Sequence, residues 1–155
     1  MSDFLDNLTS FWKTKGVTAS AHKATEGEID AWERRYNVVL PADLREYVTR
    51  VNGVQGGEKL DFDHEGISFL PLSAICAEAE WTEAEGRPGM FVFADFLVRC
   101  NWWCVQLDSS PHEHTRIFYG GGLKGNSFLT NSLSEFFDLI RIITAAFMAN
   151  REAET

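Results

Sequence analysis

Two cysteines and two histidines near the middle of the chain are the residues whose types and spacing could bind a metal ion. Cys100 and Cys104 precede His112 and His114, and thiolates together with imidazoles are the usual ligands of structural zinc. However, two tryptophans directly precede Cys104 and place it in a bulky hydrophobic strand, where a free cysteine packs as a small apolar residue. The histidines lie in a polar stretch that is typical of an exposed loop. We therefore expect no metal ion and no other cofactor, with zinc at these four side chains as the alternative.

The same side chains could supply a nucleophile and a base for hydrolysis. Cys104 would be the nucleophile, and His112 or His114 would be the base that activates it. No local sequence signature of a cysteine hydrolase surrounds these residues. We therefore expect no catalytic residues and no enzymatic activity. Loss of a measurable activity in a Cys104→Ala or His112→Ala variant would overturn that expectation.

A glycine-rich segment at residues 120–125, with the sequence GGGLKG, has the composition of a phosphate-binding loop. A Walker loop requires Lys and then Ser or Thr directly after its last glycine, at the start of a helix. Here Gly125 is followed by Asn126, so the motif does not match. The segment is predicted to be a turn between strands.

The chain is strongly acidic, with 23 acidic and 14 basic side chains and a formal net charge of −9. This charge disfavours direct binding to nucleic acid, and no basic cluster offsets it. An acidic surface could instead steer a protein partner that has a basic surface. The alternative interpretation is that the acidity only keeps the protein soluble.

Two short acidic stretches form the predicted partner-binding surface, one before Gly66 and one around Trp81. Like charges crowded together cost stability unless an oppositely charged group meets them. Trp81 could be an exposed hot spot ringed by carboxylates, or it could pack on the sheet. A calcium loop in the first stretch is disfavoured because the glycine and the terminal glutamate of an EF-hand are missing. The predicted residues are Glu58, Asp61, Asp63, Glu65, Glu78, Glu80, Trp81 and Glu83.

The 155 residues fit one domain, and twelve Phe and five Trp provide a substantial hydrophobic core. We expect a core over residues 25–147, an N-terminal helix and connector over 1–24, and a frayed tail over 150–155. The chain shows no secretion signal and no apolar run of about 20 residues, so a cytoplasmic location is expected. Reduced thiols are expected at Cys76, Cys100 and Cys104.

Three helices are predicted before the first strand. An amphipathic segment from Asp3 to about Lys13 gives the first. Thr25 and Glu28 form a capping box, which starts the second helix at about Glu26. The dipeptide Leu40-Pro41 makes a corner and starts the third, which ends at Asn52-Gly53. The predicted buried faces of the second and third helices are Ile29, Trp32, Tyr36, Val39, Leu44, Tyr47, Val48 and Val51.

Strands are predicted after the third helix, with a long final helix that covers them. Two short strands flank a turn at residues 63–66, and a helix is predicted over 73–85. Apolar runs at 90–94, 102–107 and 116–119 are predicted to form a meander. Ser132 and Glu135 have capping-box spacing, and the helix after them carries a broad apolar stripe. Its residues are Leu133, Phe136, Phe137, Ile140, Ile143, Thr144 and Phe147.

This order of elements is similar to that of the SMI1/KNR4 (SUKH) superfamily, bacterial immunity-protein type, over residues 25–147. The corner at Leu40-Pro41, the helix end at Asn52-Gly53 and the final helix opening with residues 134–137 are the most specific pieces. Residues 96–101 depart from the family, whose members often have an aspartate or glycine-rich turn before the tryptophan strand.

The resemblance implies an α+β domain with a mostly antiparallel sheet of about five to six strands flanked by helices. It also implies a non-enzymatic protein that binds and neutralises a bacterial polymorphic or contact-dependent toxin. The expected partner is a toxin domain with a basic surface, and neither nucleic acid nor membrane is expected to bind. The chain is expected to be a monomer or a weak dimer. The alternative is a cytosolic regulator or scaffold without a toxin partner, since fungal relatives act in cell-wall regulation.

Overall fold

In the part of the chain that the structure describes, three helices precede the first strand, and a final helix follows the last one. The structure is a computed structural model that describes residues 3–14, 16–54, 67–96, 101–120 and 128–141. The helices are α1 (Phe4–Thr14), α2 (Glu26–Tyr36), α3 (Ala42–Arg50), α4 (Glu78–Thr82) and α5, described over 133–141. The strands are β1 (Ile67–Phe69), β2 (Cys76–Ala77), β3 (Met90–Phe96), β4 (Asn101–Gln106), β5 (Arg116–Gly120) and β6 (Phe128–Thr130). None of the helices in these ranges is both long and apolar enough to cross a membrane.

The six described strands form one antiparallel sheet. Five of them follow in the order β1-β3-β4-β5-β6, and β2 pairs with β3 beside β1. The short strands β1 and β2 share one edge of β3, with Phe69 opposite Ala94 and Cys76 opposite Val92. The chain then runs as the expected meander through β3, β4 and β5. The prediction of an α+β fold with a mostly antiparallel sheet and flanking helices is confirmed.

A capping box begins α2 where the sequence predicts. The predicted apolar face of this helix extends to Val39, but α2 ends at Tyr36 because Asn37 takes a left-handed conformation. The Thr25 hydroxyl accepts the Glu28 N–H at 3.2 Å, and the Glu28 carboxylate accepts the Thr25 N–H at 3.2 Å. Asn37 closes α2 with a left-handed φ of 54°, and Asn52 adopts φ 57° after α3. The capping box satisfies backbone N–H groups that the start of a helix leaves unpaired. The left-handed residues turn the chain away from the helical path. The capping box is confirmed as predicted.

Aromatic side chains of α5 pack on the sheet and form the centre of the core. The Phe136 ring lies 5.3 Å from that of Phe93 and 5.7 Å from that of Trp103. The Phe137 ring lies 5.4 Å from that of Phe69. The prediction that the last helix covers the sheet is therefore confirmed over 133–141. Its predicted stripe beyond residue 141 lies outside the described residues.

The predicted helix over residues 73–85 is wrong. A 3₁₀ turn at Leu72–Ala74 and the strand β2 occupy its first half, and only Glu78–Thr82 is helical. The Trp32 indole donates to the carbonyl of Ile75 at 3.0 Å, and β2 pairs with β3. These tertiary hydrogen bonds outweigh the weak local helix preference. Glu83 ends α4 in the left-handed conformation, with φ 58°.

Some sequence predictions fall outside the described residues. They are the strand before the turn at 63–66, that turn itself, the segment 97–100, the glycine-rich residues 121–125 and the tail 150–155.

A buried carboxylate joins α3 to β5 and α5. Asp43, in the first turn of α3, is 8% exposed. It accepts the Thr115 N–H at 3.0 Å and the Leu133 N–H at 3.1 Å, and the Thr115 hydroxyl also donates to it. These residues lie 72 and 90 positions away in the sequence. A buried charge is tolerated when several donors compensate its lost hydration, as they do here.

We expect Asp43→Ala to lower the free energy of unfolding by about 3 kcal/mol or more, because it leaves buried N–H donors without acceptors. Asp30→Ala is the matched control, since Asp30 is exposed on α2 and its loss should change stability by about 0.5 kcal/mol at most. Urea unfolding of both variants measures the difference. Equal stability of the two variants would contradict the structural role of Asp43.

Candidate functional site

Glu78 is the centre of a buried polar cluster at the start of α4. Its side chain is 6% exposed. Arg87 donates to it from Nε at 3.0 Å, from Nη2 at 2.8 Å and from the backbone N–H at 3.0 Å. The Trp102 indole donates at 2.9 Å and the Cys104 thiol at 3.2 Å. The carboxylate thus receives donors from three residues on two segments of the chain, the turn after α4 and the strand β4.

Two glycines allow this cluster to close. A Cβ at Gly86 would lie 2.3 Å from the backbone nitrogen of Ala79, so the chain can return past α4 only without a side chain. A Cβ at Gly120 would lie 2.1 Å from the indole nitrogen of Trp102, which is its partner across β4 and β5. Glycine is required wherever another group approaches the backbone so closely.

The cluster sets the charge states of its members. Burial opposes ionisation of Glu78, but the hydrogen bonds from Arg87, Trp102 and Cys104 outweigh it and lower the pKa of Glu78 to about 2. Burial, together with the adjacent Glu78 carboxylate, raises the pKa of the Cys104 thiol well above its ordinary value. A thiol held in its neutral form is a poor nucleophile. The arrangement ties α4 to the sheet and does not activate Cys104.

The structure corrects the expected position of two predicted partner-binding residues. Glu78 points into the cluster, and Trp81 is 8% exposed. The packed interpretation of Trp81 is therefore correct, and the exposed hot spot is wrong. Burial leaves neither side chain on the surface where a partner could contact it. The reason is that α4 is short and lies against β2 and β3, so its polar first residue must find donors inside.

The other predicted partner-binding residues differ in how freely they face solvent. Glu80 is exposed but accepts hydrogen bonds from Arg35 at 3.2 Å and from the Tyr36 hydroxyl at 3.1 Å. Glu83 is exposed at the end of α4. The predicted residues Glu58, Asp61, Asp63 and Glu65 lie outside the described ranges. Their role in binding stays a prediction.

The side chains considered for zinc or hydrolysis have separate partners. Cys104 donates to Glu78, whereas His112 bonds to Asp108 at 3.0 Å. His114 is exposed in the loop between β4 and β5, and Cys100 lies outside the described residues. Where the structure describes the chain, no three His, Cys, Asp or Glu side chains are grouped to hold a metal ion.

A surface groove of about 540 Å³, which sequence reasoning missed, lies where α1, α3 and α5 begin. We call it the N-terminal groove. Its lining residues are Asp3, Phe4, Ala42, Asp43, Glu46, Glu113, His114, Ser132 and Ser134. They come from four segments, and no linear spacing connects them. The only local sign is the carboxylate of Asp43, two residues after the Leu40-Pro41 corner.

Arg50 organises one side of the N-terminal groove. It forms ion pairs with Asp3 at 2.8 Å, with Asp6 at 2.8 Å and with Glu46 at 2.7 Å. The hydrogen bond from Arg50 lowers the pKa of the Asp3 carboxyl. One guanidinium therefore serves three carboxylates, and this side of the groove keeps a negative charge.

The comparisons identify one family. The family model of the SMI1 / KNR4 family (SUKH-1) matches residues 23–139, which is more than half of the chain. No curated protein and no solved structure matches.

We expect Glu78→Gln to be destabilising near neutral pH, by about 3 kcal/mol if the full pKa difference between 4.5 and about 2 is lost. Because the folded-state pKa is the lower one, the wild-type carboxylate stabilises the fold above about pH 4.5. This contribution disappears as the pH falls toward 2. The stability difference between wild type and variant should therefore shrink over that range in urea unfolding curves. Glu83→Gln, at an exposed site, is the control.

We expect Cys104 to resist alkylation by iodoacetamide in the folded protein, because its thiol is buried and its pKa is raised. Peptide mapping by mass spectrometry should find Cys104 labelled only after unfolding in urea. Cys76, which is half-buried, is the internal comparison. Rapid labelling of Cys104 in the native protein would contradict this description of the cluster.

Proposed function

The chain belongs to the SMI1 / KNR4 family (SUKH-1), and we propose that it is a non-enzymatic domain that binds and neutralises a bacterial toxin. The family match carries this proposal, since bacterial members of this superfamily are frequently immunity proteins for polymorphic or contact-dependent toxins. Fold alone does not determine function, so the surface and the charge of this chain must also suit the role.

The state of Cys104 supports the non-enzymatic part of the proposal. Its thiol donates a hydrogen bond to Glu78, and burial raises its pKa. Enzymes that use cysteine lower the pKa of the nucleophile and leave it accessible to substrate. Glu78 itself accepts hydrogen bonds from Arg87, Trp102 and Cys104, which leaves it little capacity to accept a proton from a substrate.

The negative net charge of the chain supports the proposal that its partner has a basic surface. The formal net charge is −9, and exposed carboxylates such as Asp30, Glu83, Glu85 and Glu113 lie on several elements. A toxin that cleaves nucleic acid needs a basic surface, and opposite charges accelerate association and select the partner. The proposal includes a cytoplasmic location and a monomer or weak dimer that binds one toxin domain.

The second candidate is a regulator or scaffold of the same family without a toxin partner. Ion pairs within the chain favour this candidate, because Arg50, Arg87 and Arg35 each neutralise carboxylates of the same chain. A carboxylate that is already paired in this way gives no evidence for a basic partner.

A pull-down from the source cell, with this chain as bait and mass spectrometry as readout, separates the two candidates. Recovery of the C-terminal domain of a large secreted protein, which binds directly when purified, supports toxin neutralisation. Recovery of housekeeping or cell-envelope proteins alone supports the regulator. A toxin gene adjacent to the gene for this chain would count against the regulator.

We expect simultaneous charge reversal at Glu58, Asp61, Asp63 and Glu65 to weaken toxin binding by about 10-fold or more, because rim charges steer and select a basic partner. Calorimetry with the purified toxin domain measures the affinity. Single reversals, compared with Asp30→Lys on α2, separate a local contact from the change in net charge. Unchanged affinity of the fourfold variant removes this stretch from the binding surface.

A further inference from the structure

The N-terminal groove lies on the surface between the starts of three helices and the loop that joins β4 to β5. We infer that it receives a basic loop of the toxin domain, with a lysine or arginine side chain inserted between its carboxylates. This inference rests on the proposed function and names the surface that performs it. It differs from the predicted stretch around Trp81, since Glu78, Glu80, Trp81 and Glu83 do not line the groove.

The groove has an excess of negative charge. Among the described residues, four carboxylates line it, from Asp3, Asp43, Glu46 and Glu113, but the donors Thr115 and Leu133 already compensate that of Asp43. Arg50 neutralises part of the charge of Asp3 and Glu46. Glu113 is exposed, and its side chain forms neither a hydrogen bond nor an ion pair with any residue in the described ranges. A cation that enters the groove therefore meets one carboxylate whose charge no residue in the described part of the chain compensates.

Helix N-termini ordinarily attract anions, but here several of their N–H groups already donate to acceptors within the protein. Asp3 accepts the N–H of Leu5 at 3.2 Å at the start of α1. The carbonyl of His112 accepts the N–H of Ala42 at 2.8 Å, and that of Glu113 accepts the N–H of Asp43 at 3.1 Å.

At α5, Asp43 accepts the N–H of Leu133, and the Ser132 hydroxyl accepts the N–H of Glu135 at 3.1 Å. With these donors occupied, the side-chain carboxylates set the sign of the potential. The groove consequently selects a cation and disfavours phosphate.

The apolar part of the lining suits the long stem of a basic side chain. Phe4 is half-buried in the groove, and its ring stacks on Phe137 at 5.9 Å with an interplanar angle of 26°. Lysine and arginine pack their methylene groups on such surfaces while the charged end reaches polar groups. An arginine could also stack on the ring itself.

The walls are held in place before a partner arrives. The N–H of Val39 donates to the carbonyl of Asp108 at 2.8 Å, which fastens the β4–β5 loop to the corner before α3. Within that loop, the N–H of Ser110 donates to the Asp108 side chain at 2.8 Å. A preorganised groove loses little conformational entropy when it binds.

The size of the groove favours a protein loop over a single ion. Its volume of about 540 Å³ exceeds that of one side chain and lies within the range of small-ligand sites, roughly 300–1,000 Å³. Its carboxylates are spread along the walls, and no three potential metal ligands are grouped among the described residues. Carboxylates that lie apart from one another can each pair with a different basic side chain of a peptide.

The test uses the full chain and the purified toxin domain recovered with it. Glu113→Lys should weaken binding by about 10- to 100-fold, because it replaces an attractive contact with a repulsive one at an exposed side chain that is bonded to no other described residue. Asp30→Lys is the matched control, with the same change in net charge outside the groove, and should change affinity by less than about 3-fold. Circular dichroism checks that both variants fold.

Hydrogen exchange of the complex gives a readout that needs no variant. Binding should protect amides of the β4–β5 loop, residues 107–115, and of the first turns of α1 and α5. Equal affinities of Glu113→Lys and wild type, or protection confined to other elements, overturn the groove as the binding surface while the proposed function stands. Failure of wild type to bind any toxin domain overturns the proposed function and the groove with it.

Discussion

The buried carboxylate of Asp43 is the interaction on which the arrangement of the helices depends. It accepts the backbone N–H groups of Thr115 and Leu133, so that the start of α3, the start of β5 and the start of α5 meet at one charge. The cost of burying that charge is offset only while all three segments remain in place. The requirement couples the position of the last helix to that of the helix after the Leu40-Pro41 corner.

A second buried carboxylate performs the same role for the short helix α4. Glu78 binds Arg87, Trp102 and Cys104, and it thereby attaches the short helix α4 to β4. A helix of five residues has little stability of its own, and such contacts supply what its hydrogen bonds do not. Both carboxylates accept hydrogen bonds from several protein donors, so their role is to hold distant segments of the chain together.

The acidic charge of the chain therefore divides into an internal and an external part. Asp43 and Glu78 hold the fold together, whereas Glu113 and the exposed carboxylates of α2 and α4 face solvent. Only the external part can attract a partner, because the internal charges are already compensated. This division explains how one acidic composition can serve stability and, under the proposed function, recognition of a basic toxin domain.

Elements governed by neighbouring residues could be predicted from the sequence alone. The capping box at Thr25 and Glu28 and the left-handed residue Asn52 after α3 depend on contacts within a few positions. The strands of the meander are marked by continuous apolar runs and pair with their neighbours along the chain. The family resemblance rests on the same local motifs. Tertiary structure decided three other features. They are the local structure of residues 73–85, the burial of Glu78 and Trp81, and the N-terminal groove. Each depends on partners far away in the sequence, such as Leu133 for Asp43, 90 residues later. Local propensity cannot encode such pairings, because a buried charge or a groove exists only after distant segments have come together.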